Sequence, residues 1–90
     1  MASTYNAVSV SSTATLVLDA NNGRKGAIVF NGGPEIIYLG MDNQVTTTNG
    51  IPVVPFSSMN QTGQFDGWRG AIWGVTGSAT ADVRYWEWIG

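Results

Sequence analysis

The chain has 90 residues, of which 43% are hydrophobic and 11% are charged, and its formal net charge is −2. This length provides one hydrophobic core, so residues 1–90 are predicted to form a single domain. The absence of Cys and His excludes disulfides and argues against a zinc site. Four cationic residues are too few for the basic surface of a nucleic-acid-binding protein.

The low charge also predicts how the surface is built. Soluble domains usually carry roughly 25% charged residues, so Ser, Thr, Asn, Gln, Gly and some apolar groups must supply much of the surface here. A domain this small buries only about 60–65% of its unfolded surface. With disulfides excluded and a zinc site disfavoured, contact with neighbouring subunits is the remaining external source of stability. No apolar run approaches the roughly 20 residues that span a bilayer, and we expect no secretory leader.

The first predicted elements are two strands. Residues 4–10 place Val8 and Val10 on one side of an alternating pattern, which indicates an edge strand, or an ordered N-terminal arm over residues 1–7. Residues 13–18 alternate clearly and predict a half-buried outer strand. Asn22-Gly23 then predicts a turn with positive φ.

The next predicted unit is a hairpin at the centre of the fold. Residues 27–30 and 36–39 are continuous apolar runs of strand length, rich in β-branched and aromatic residues, so both faces of each strand are expected to be covered. Gly32-Gly33-Pro34 between them suits a short turn.

Residues 44–48 (QVTTT) predict a short polar strand because Thr and Val favour extended backbone. Residues 51–56 contain two prolines, which places them at a sheet edge or in an extended segment. Residues 57–67 are expected to cross from one sheet to the other or to form a loop.

The last third of the chain predicts two strands. Residues 68–75 are strand-like, and Gly70 and Gly74 indicate a bulge or a close approach by another backbone. Residues 80–89 alternate Val83, Tyr85, Glu87 and Ile89 on one face with Asp82, Arg84, Trp86 and Trp88 on the other.

Turn signals recur about every 8–12 residues, and no stretch has the 3.6-residue apolar period of a helix. The fold class is therefore predicted as all-β: a single-domain antiparallel β-sandwich, or a jelly-roll-like small barrel, with six to eight strands.

Few residues offer catalytic chemistry. Without His or Cys, the remaining enzymatic arrangement is a carboxylate pair, as in a glycosidase, drawn from Asp66, Asp82 and Glu87. The favoured interpretation is that these side chains are solvated or paired with Arg, so we predict no enzyme and no cofactor. Arg24 has five donors and is expected to pin two loops by binding backbone carbonyls; the alternative is a carboxylate across a subunit boundary.

The aromatic residues are the strongest candidates for function. Trp73 and Tyr85 are assigned to the core. One small sandwich cannot enclose all the remaining large groups, so some of Trp68, Trp86 and Trp88 are expected to face a partner, where Trp is a favoured anchor. The alternative is a sugar-stacking platform.

Several short motifs have a familiar order. A Thr/Ser-rich strand ends in Leu16-Val17-Leu18 and is followed by ANNGRKG at residues 20–26 and an apolar strand that closes on Asn31. Further along come Tyr38-Leu39-Gly40, TTNGIP at residues 47–52, and ADVR at residues 81–84 with Glu87. Over residues 8–87 this order resembles small virion proteins of tailed bacteriophages.

The resemblance implies a β-sandwich structural component of the particle, assembled in the host cytoplasm and located at the capsid surface. We expect a decoration or cement protein that binds the phage major capsid protein as a homotrimer, with no nucleic-acid or membrane partner. A head–tail connector component and a glycan-binding module of a tail or host-attachment structure are the alternatives. The predicted contacts are Ala2, Ser3, Thr4, Tyr5, Asn6, Arg24, Trp68, Trp86 and Trp88.

Overall fold

A computed structural model describes residues 2–55 and 62–89, with the backbone alone for residues 2–3 and 62–66. It contains eight strands in the described residues: β1 (Ala2–Val10), β2 (Thr15–Leu18), β3 (Arg24–Asn31), β4 (Ile37–Gly40), β5 (Ile51–Val53), β6 (Thr62–Asp66), β7 (Ile72–Thr76) and β8 (Ala81–Ile89). Within residues 2–55 and 62–89, there is no helix long and apolar enough to cross a membrane.

The strands form two four-stranded sheets. Sheet A has the order β1-β8-β3-β6, sheet B has the order β2-β7-β4-β5, and every pairing is antiparallel. The core lies between the sheets, where Val10, Val29 and Val83 of sheet A belong to one buried cluster with Ile37, Leu39 and Ile72 of sheet B. The predicted all-β, antiparallel sandwich is therefore confirmed.

The predicted central hairpin is wrong, because its two strands lie in different sheets. β3 pairs with β8 and β6, whereas β4 pairs with β7 and β5. The connection is bonded to both sheets: the amide of Gly32 donates to the carbonyl of Asp82 at 2.6 Å, and the buried Asn31 Nδ2 donates to the carbonyl of Val53 at 2.8 Å. Each strand is nevertheless internal to its own sheet, as the apolar runs indicated.

The strand predicted at residues 44–48 is also wrong, because this segment forms turns. Asn49 Oδ1 accepts from the amide of Thr46 at 2.7 Å, and Thr46 Oγ1 accepts from the amide of Thr48 at 3.2 Å. These side chains bond to nearby backbone groups that a strand would use for its ladder. Val45 is buried and anchors the segment.

Other differences are local. Residues 2–7, for which the sequence left open an arm or an edge strand, lie in β1 at the edge of sheet A. Both Val17 and Leu18 are buried, because a register shift between Leu16 and Leu18 interrupts the alternation of β2. Positive φ occurs at Gly33 and Gly67 among the described glycines, and not at the predicted Gly23.

The long segment before β7 contains a strand that the sequence pattern missed. β6 occupies part of residues 57–67 and pairs with β3. β5 lies in sheet B and β6 in sheet A, which agrees with the expected change of sheet, whereas residues 56–61 between them lie outside the described part of the chain. β5 is an edge strand, which agrees with the prediction from its proline.

Replacement of Asn31 by Ala should lower the free energy of unfolding by about 2–4 kcal/mol, since it removes bonds to three backbone groups around a buried site. Asn31 Nδ2 also donates to the carbonyl of Glu35, and its Oδ1 accepts from the amide of Gly33. Asn49→Ala is the matched control, because Asn49 makes similar bonds while exposed to water; its expected loss is under about 1 kcal/mol. Equal losses in urea denaturation would contradict this account.

Candidate functional site

One outer face of the sandwich carries large apolar side chains. Tyr85 of β8 packs against the core, so Trp86, its neighbour in sequence, points to the outer side of sheet A. The register places Tyr5 of β1 and Ile28 of β3 on either side of Trp86. We call the surface formed by Tyr5, Ile28, Phe30, Trp86 and Trp88 the aromatic face.

The aromatic face is open to water at its centre. Tyr5 is 80% exposed and Trp86 is 56% exposed, and both line a shallow depression of about 750 Å³ together with Ile28 and Phe30. Contiguous exposed apolar groups of this kind mark binding surfaces in soluble proteins. The prediction that large aromatic groups remain outside the core is therefore confirmed for Trp86.

Trp88 forms the less exposed part of the aromatic face. A Cβ built on Gly26 would lie 2.4 Å from the ring of Trp88, so the indole rests directly against the backbone of β3. Any larger side chain at Gly26 would push the ring away from the sheet. Gly26 therefore leaves the space that the Trp88 ring occupies against the sheet.

The next positions along β8 are charged. Arg84 Nη2 donates to Asp82 Oδ2 at 3.0 Å, and both side chains are at least half exposed. Arg84 lines the depression beside Trp86. The aromatic face thus passes from an apolar region to a polar margin within β8.

Arg24 and Glu87 lie on the opposite side of sheet A, inside the sandwich. Arg24 is 1% exposed and Glu87 is 6% exposed, and Arg24 Nε donates to Glu87 Oε2 at 2.7 Å. The Arg24 guanidinium also donates to the carbonyls of Trp68, Gly70 and Asp19, at 3.0, 2.8 and 2.6 Å. The predicted role of Arg24 in pinning two loops is confirmed.

Burial and internal hydrogen bonds bear on several of the predicted contacts. Arg24 is not an interface residue, because a side chain enclosed by its own chain cannot reach a partner. Thr4 Oγ1 donates to Glu87 Oε1 at 3.1 Å, so Thr4 also serves the internal ion pair. Asn6 Oδ1 accepts from the amide of Ala7 at 2.8 Å. Ala2 and Ser3 are described by backbone alone and lie in β1.

Trp68 lies apart from the aromatic face. It follows β6 in the loop that leads to β7, where Nε1 donates to the carbonyl of Ala71 at 3.1 Å. Its ring lies against the backbone of Gly70, where an added Cβ would come within 2.3 Å. Trp68 is 37% exposed. The close approach at Gly70 is therefore made by the ring of Trp68, and not by another backbone as predicted.

Two further predictions concern Trp73 and the carboxylates. Trp73 is half-buried and stands outside the core cluster, so its core assignment is wrong, whereas Tyr85 packs against the core as predicted. Asp82 and Glu87 point to opposite faces of β8 and cannot act as a pair. Each is paired with an arginine instead. Asp66 is described by backbone alone.

The structure thus brings Tyr5, Trp86 and Trp88 together and separates them from Arg24, Thr4 and Trp68. Sequence reasoning missed Ile28, Phe30 and Arg84 as lining residues. Their signal is the strand register, which places Ile28 opposite Trp86 and Phe30 opposite Arg84.

Comparisons with protein-family models, curated proteins and solved structures find no match to this chain. The geometry of the aromatic face and the resemblance in motif order are therefore the grounds for assigning a function.

Replacement of Arg24 by Met should lower the free energy of unfolding by about 3–5 kcal/mol, because it leaves Glu87 buried without its cation. Arg84→Met is the matched control: it breaks an exposed ion pair, and the expected loss is under about 1 kcal/mol. The double variant Arg24→Met with Glu87→Leu should recover part of the loss. Urea denaturation measures all three, and equal losses for Arg24→Met and Arg84→Met would refute the proposed importance of the buried pair.

Proposed function

We propose that the protein is a non-enzymatic structural component of a tailed-phage particle, a decoration or cement protein that binds the major capsid protein at the head surface. The aromatic face is the observation that carries this proposal. Tyr5 and Trp86 lie side by side on the outer side of sheet A, 80% and 56% exposed. The resemblance in motif order supplies the kind of partner.

The aromatic face has the composition of a binding hot spot. Tyr and Trp are enriched among the residues that dominate interface energies, and each buries about 150–250 Å² when fully covered. At roughly 25 cal/mol per Å² of apolar area, covering the exposed parts of both rings contributes a few kcal/mol before the costs of association. A homotrimer that contacts several sites of one lattice adds to this through avidity.

The proposed mechanism is stabilisation by mass action. A protein that binds the assembled shell better than its separate subunits shifts the equilibrium towards the shell. Self-association belongs to the same proposal, and the resemblance implies a homotrimer. No catalytic step or cofactor enters the mechanism. A place in the head–tail connector would use the same face against a different partner.

Replacement of Trp86 or Tyr5 by Thr should abolish binding to purified heads of the phage that encodes the chain, measured by co-sedimentation. Both side chains are largely exposed, so the stability of the protein should change by less than about 1 kcal/mol. Met41→Thr and Ile51→Thr are the controls, because these residues are 67% and 69% exposed outside the aromatic face. They should bind like the unchanged protein.

Wild-type binding by Trp86→Thr, or no binding by the unchanged protein, would contradict the proposal. Imaging of intact particles separates the two locations, because a decoration protein covers the lattice whereas a connector component forms a ring at one vertex.

A glycan-binding module of a tail or host-attachment structure is the second candidate. It is favoured by the adjacent Tyr5 and Trp86 rings, on which sugar C–H groups can stack, and by the neighbouring Arg84–Asp82 pair, which can bond to hydroxyls. Binding sites of this kind combine apolar surfaces with a few placed polar groups.

Addition of soluble host-surface polysaccharide should then change the tryptophan fluorescence of the protein. Trp86→Thr should abolish the response, whereas Trp68→Phe should retain it, because Trp68 lies outside the aromatic face. A flat titration across host polysaccharides would exclude this candidate and leave the capsid proposal in place.

A further inference from the structure

β1 differs from the other three edge strands of the sandwich. β2 has four residues and a register shift, β5 has three residues including Pro52, and β6 has five residues. β1 has nine residues, none of them charged or proline, and it pairs with β8 at every position from Ala2 to Val10 without a shift. Short length, proline, charge and bulges are the usual means by which proteins prevent edge-to-edge pairing. β1 has none of them.

The hydrogen bonds show which backbone groups of β1 point away from β8. The amide of Ala7 donates to Asn6 Oδ1 at 2.8 Å, and Asp82, the partner of Ser9 on β8, bonds through its amide and its carbonyl to the turn after β3 and so points away from β1. The direction of hydrogen bonding alternates along an antiparallel strand, so Ser3, Tyr5 and Ser9 also direct their backbone groups outwards. Within the described part of the chain, β1 is the last strand of its sheet, and no backbone bond outside the strand ladders involves the amides of Tyr5 and Ser9. The edge can therefore receive another strand.

We propose that β1 pairs with β1 of a second copy of this chain, antiparallel and about a twofold axis perpendicular to sheet A. The alternating strand directions of sheet A then continue through the seam, giving one sheet of eight strands. The inference rests on the edge geometry and gives a dimer in place of the homotrimer that the resemblance implies. Binding to a capsid does not depend on it.

The composition of β1 favours a second copy as the occupant. A twofold contact places the same surface on both sides, so any charge near its centre would meet itself, and β1 carries no charge. In the register centred on Ala7, Tyr5 of each copy lies opposite Ser9 of the other. The highly exposed tyrosine ring then packs beside a small side chain in each half.

Asn6 regulates this pairing. Its side chain occupies the amide of Ala7, which is the central donor of the proposed seam. Pairing requires Asn6 to release that amide, so the internal bond competes with the second copy. This competition weakens the contact, so the dimer forms reversibly and its fraction rises with protein concentration.

Pairing also changes the aromatic face. A twofold axis perpendicular to sheet A leaves the outer faces of both copies on the same side. The two Tyr5–Trp86 rows then lie on one surface. The Tyr5 end of each row is next to the seam, and the Trp86 end is further from it. A dimer therefore presents twice the apolar area to a single flat partner.

Sedimentation equilibrium of the full chain tests the pairing directly. We expect a reversible dimer of twice the 9.6 kDa chain mass. Ser9→Pro should weaken it at least tenfold, because proline removes an outward donor while leaving the ladder to β8 intact. Ser9→Ala retains the amide and is the matched control, with unchanged dimerisation. Asn6→Ala should strengthen the dimer by roughly threefold to tenfold.

A charge-swap experiment tests the twofold register even if Ser9→Pro fails to fold. Ala7→Lys and Ala7→Glu each place like charges opposite one another, so each variant alone should be monomeric. Their mixture should form a heterodimer. Hydrogen exchange at the Tyr5 and Ser9 amides should also slow as the concentration of the unchanged protein rises.

Three results would overturn the proposal: a monomer at all concentrations, a dimer that neither Ser9→Pro nor the charge variants weaken, or a trimer. A trimer would agree with the subunit number implied by the resemblance and would leave the capsid proposal standing. If the protein forms the β1 dimer but does not bind phage heads, the capsid proposal fails and the pairing proposal stands.

Discussion

The buried ion pair between Arg24 and Glu87 is the interaction on which the rest of the structure depends. A guanidinium is costly to remove from water, and the cost is offset only where its donors find well-placed acceptors. Here Arg24 bonds to Glu87 of β8, to the carbonyl of Asp19, and to two carbonyls in the loop before β7. One side chain therefore joins three separate parts of the chain. The ion pair also fixes which face of β8 points inwards, because a slip of one residue would reverse every side chain. The outward direction of Trp86 follows from it.

A second polar residue performs a similar task at the other end of the same strand. β3 begins at Arg24 and ends at Asn31, and both are almost completely buried. Arg24 holds the loops at one end of the sandwich, and Asn31 bonds to the carbonyls of Glu35 and Val53 at the other. Disulfides often stabilise domains of this size, and this chain has no cysteine. Two polar centres on one internal strand connect the sheets in their place.

The sequence was sufficient for features that depend on local pattern. Alternation predicted the two faces of β8, and the five donors of Arg24 predicted its role. Features that depend on distant partners were missed: Asn31 at the end of β3 bonds to Val53 of β5 in the second sheet, and no local pattern contains that contact. The turns at residues 44–48 were missed because Thr46 and Asn49 bond to their own backbone, which β-propensity does not describe. Ile28 was missed because its place beside Trp86 is a property of strand register.

The aromatic face is a consequence of having only two layers. Each sheet of a sandwich has one inner face, and the inner face of β8 already holds Val83, Tyr85 and Glu87. The alternate residues of β8 must point outwards, where no third layer of the described chain covers them. Because the core and the two polar centres hold the fold without Tyr5 or Trp86, the fold itself does not explain why large aromatic groups stand there. An exposed ring on a strand is a liability for solubility unless something binds it. The proposed association, with a capsid, a glycan or a second copy, accounts for both rings and for the uncharged edge beside them.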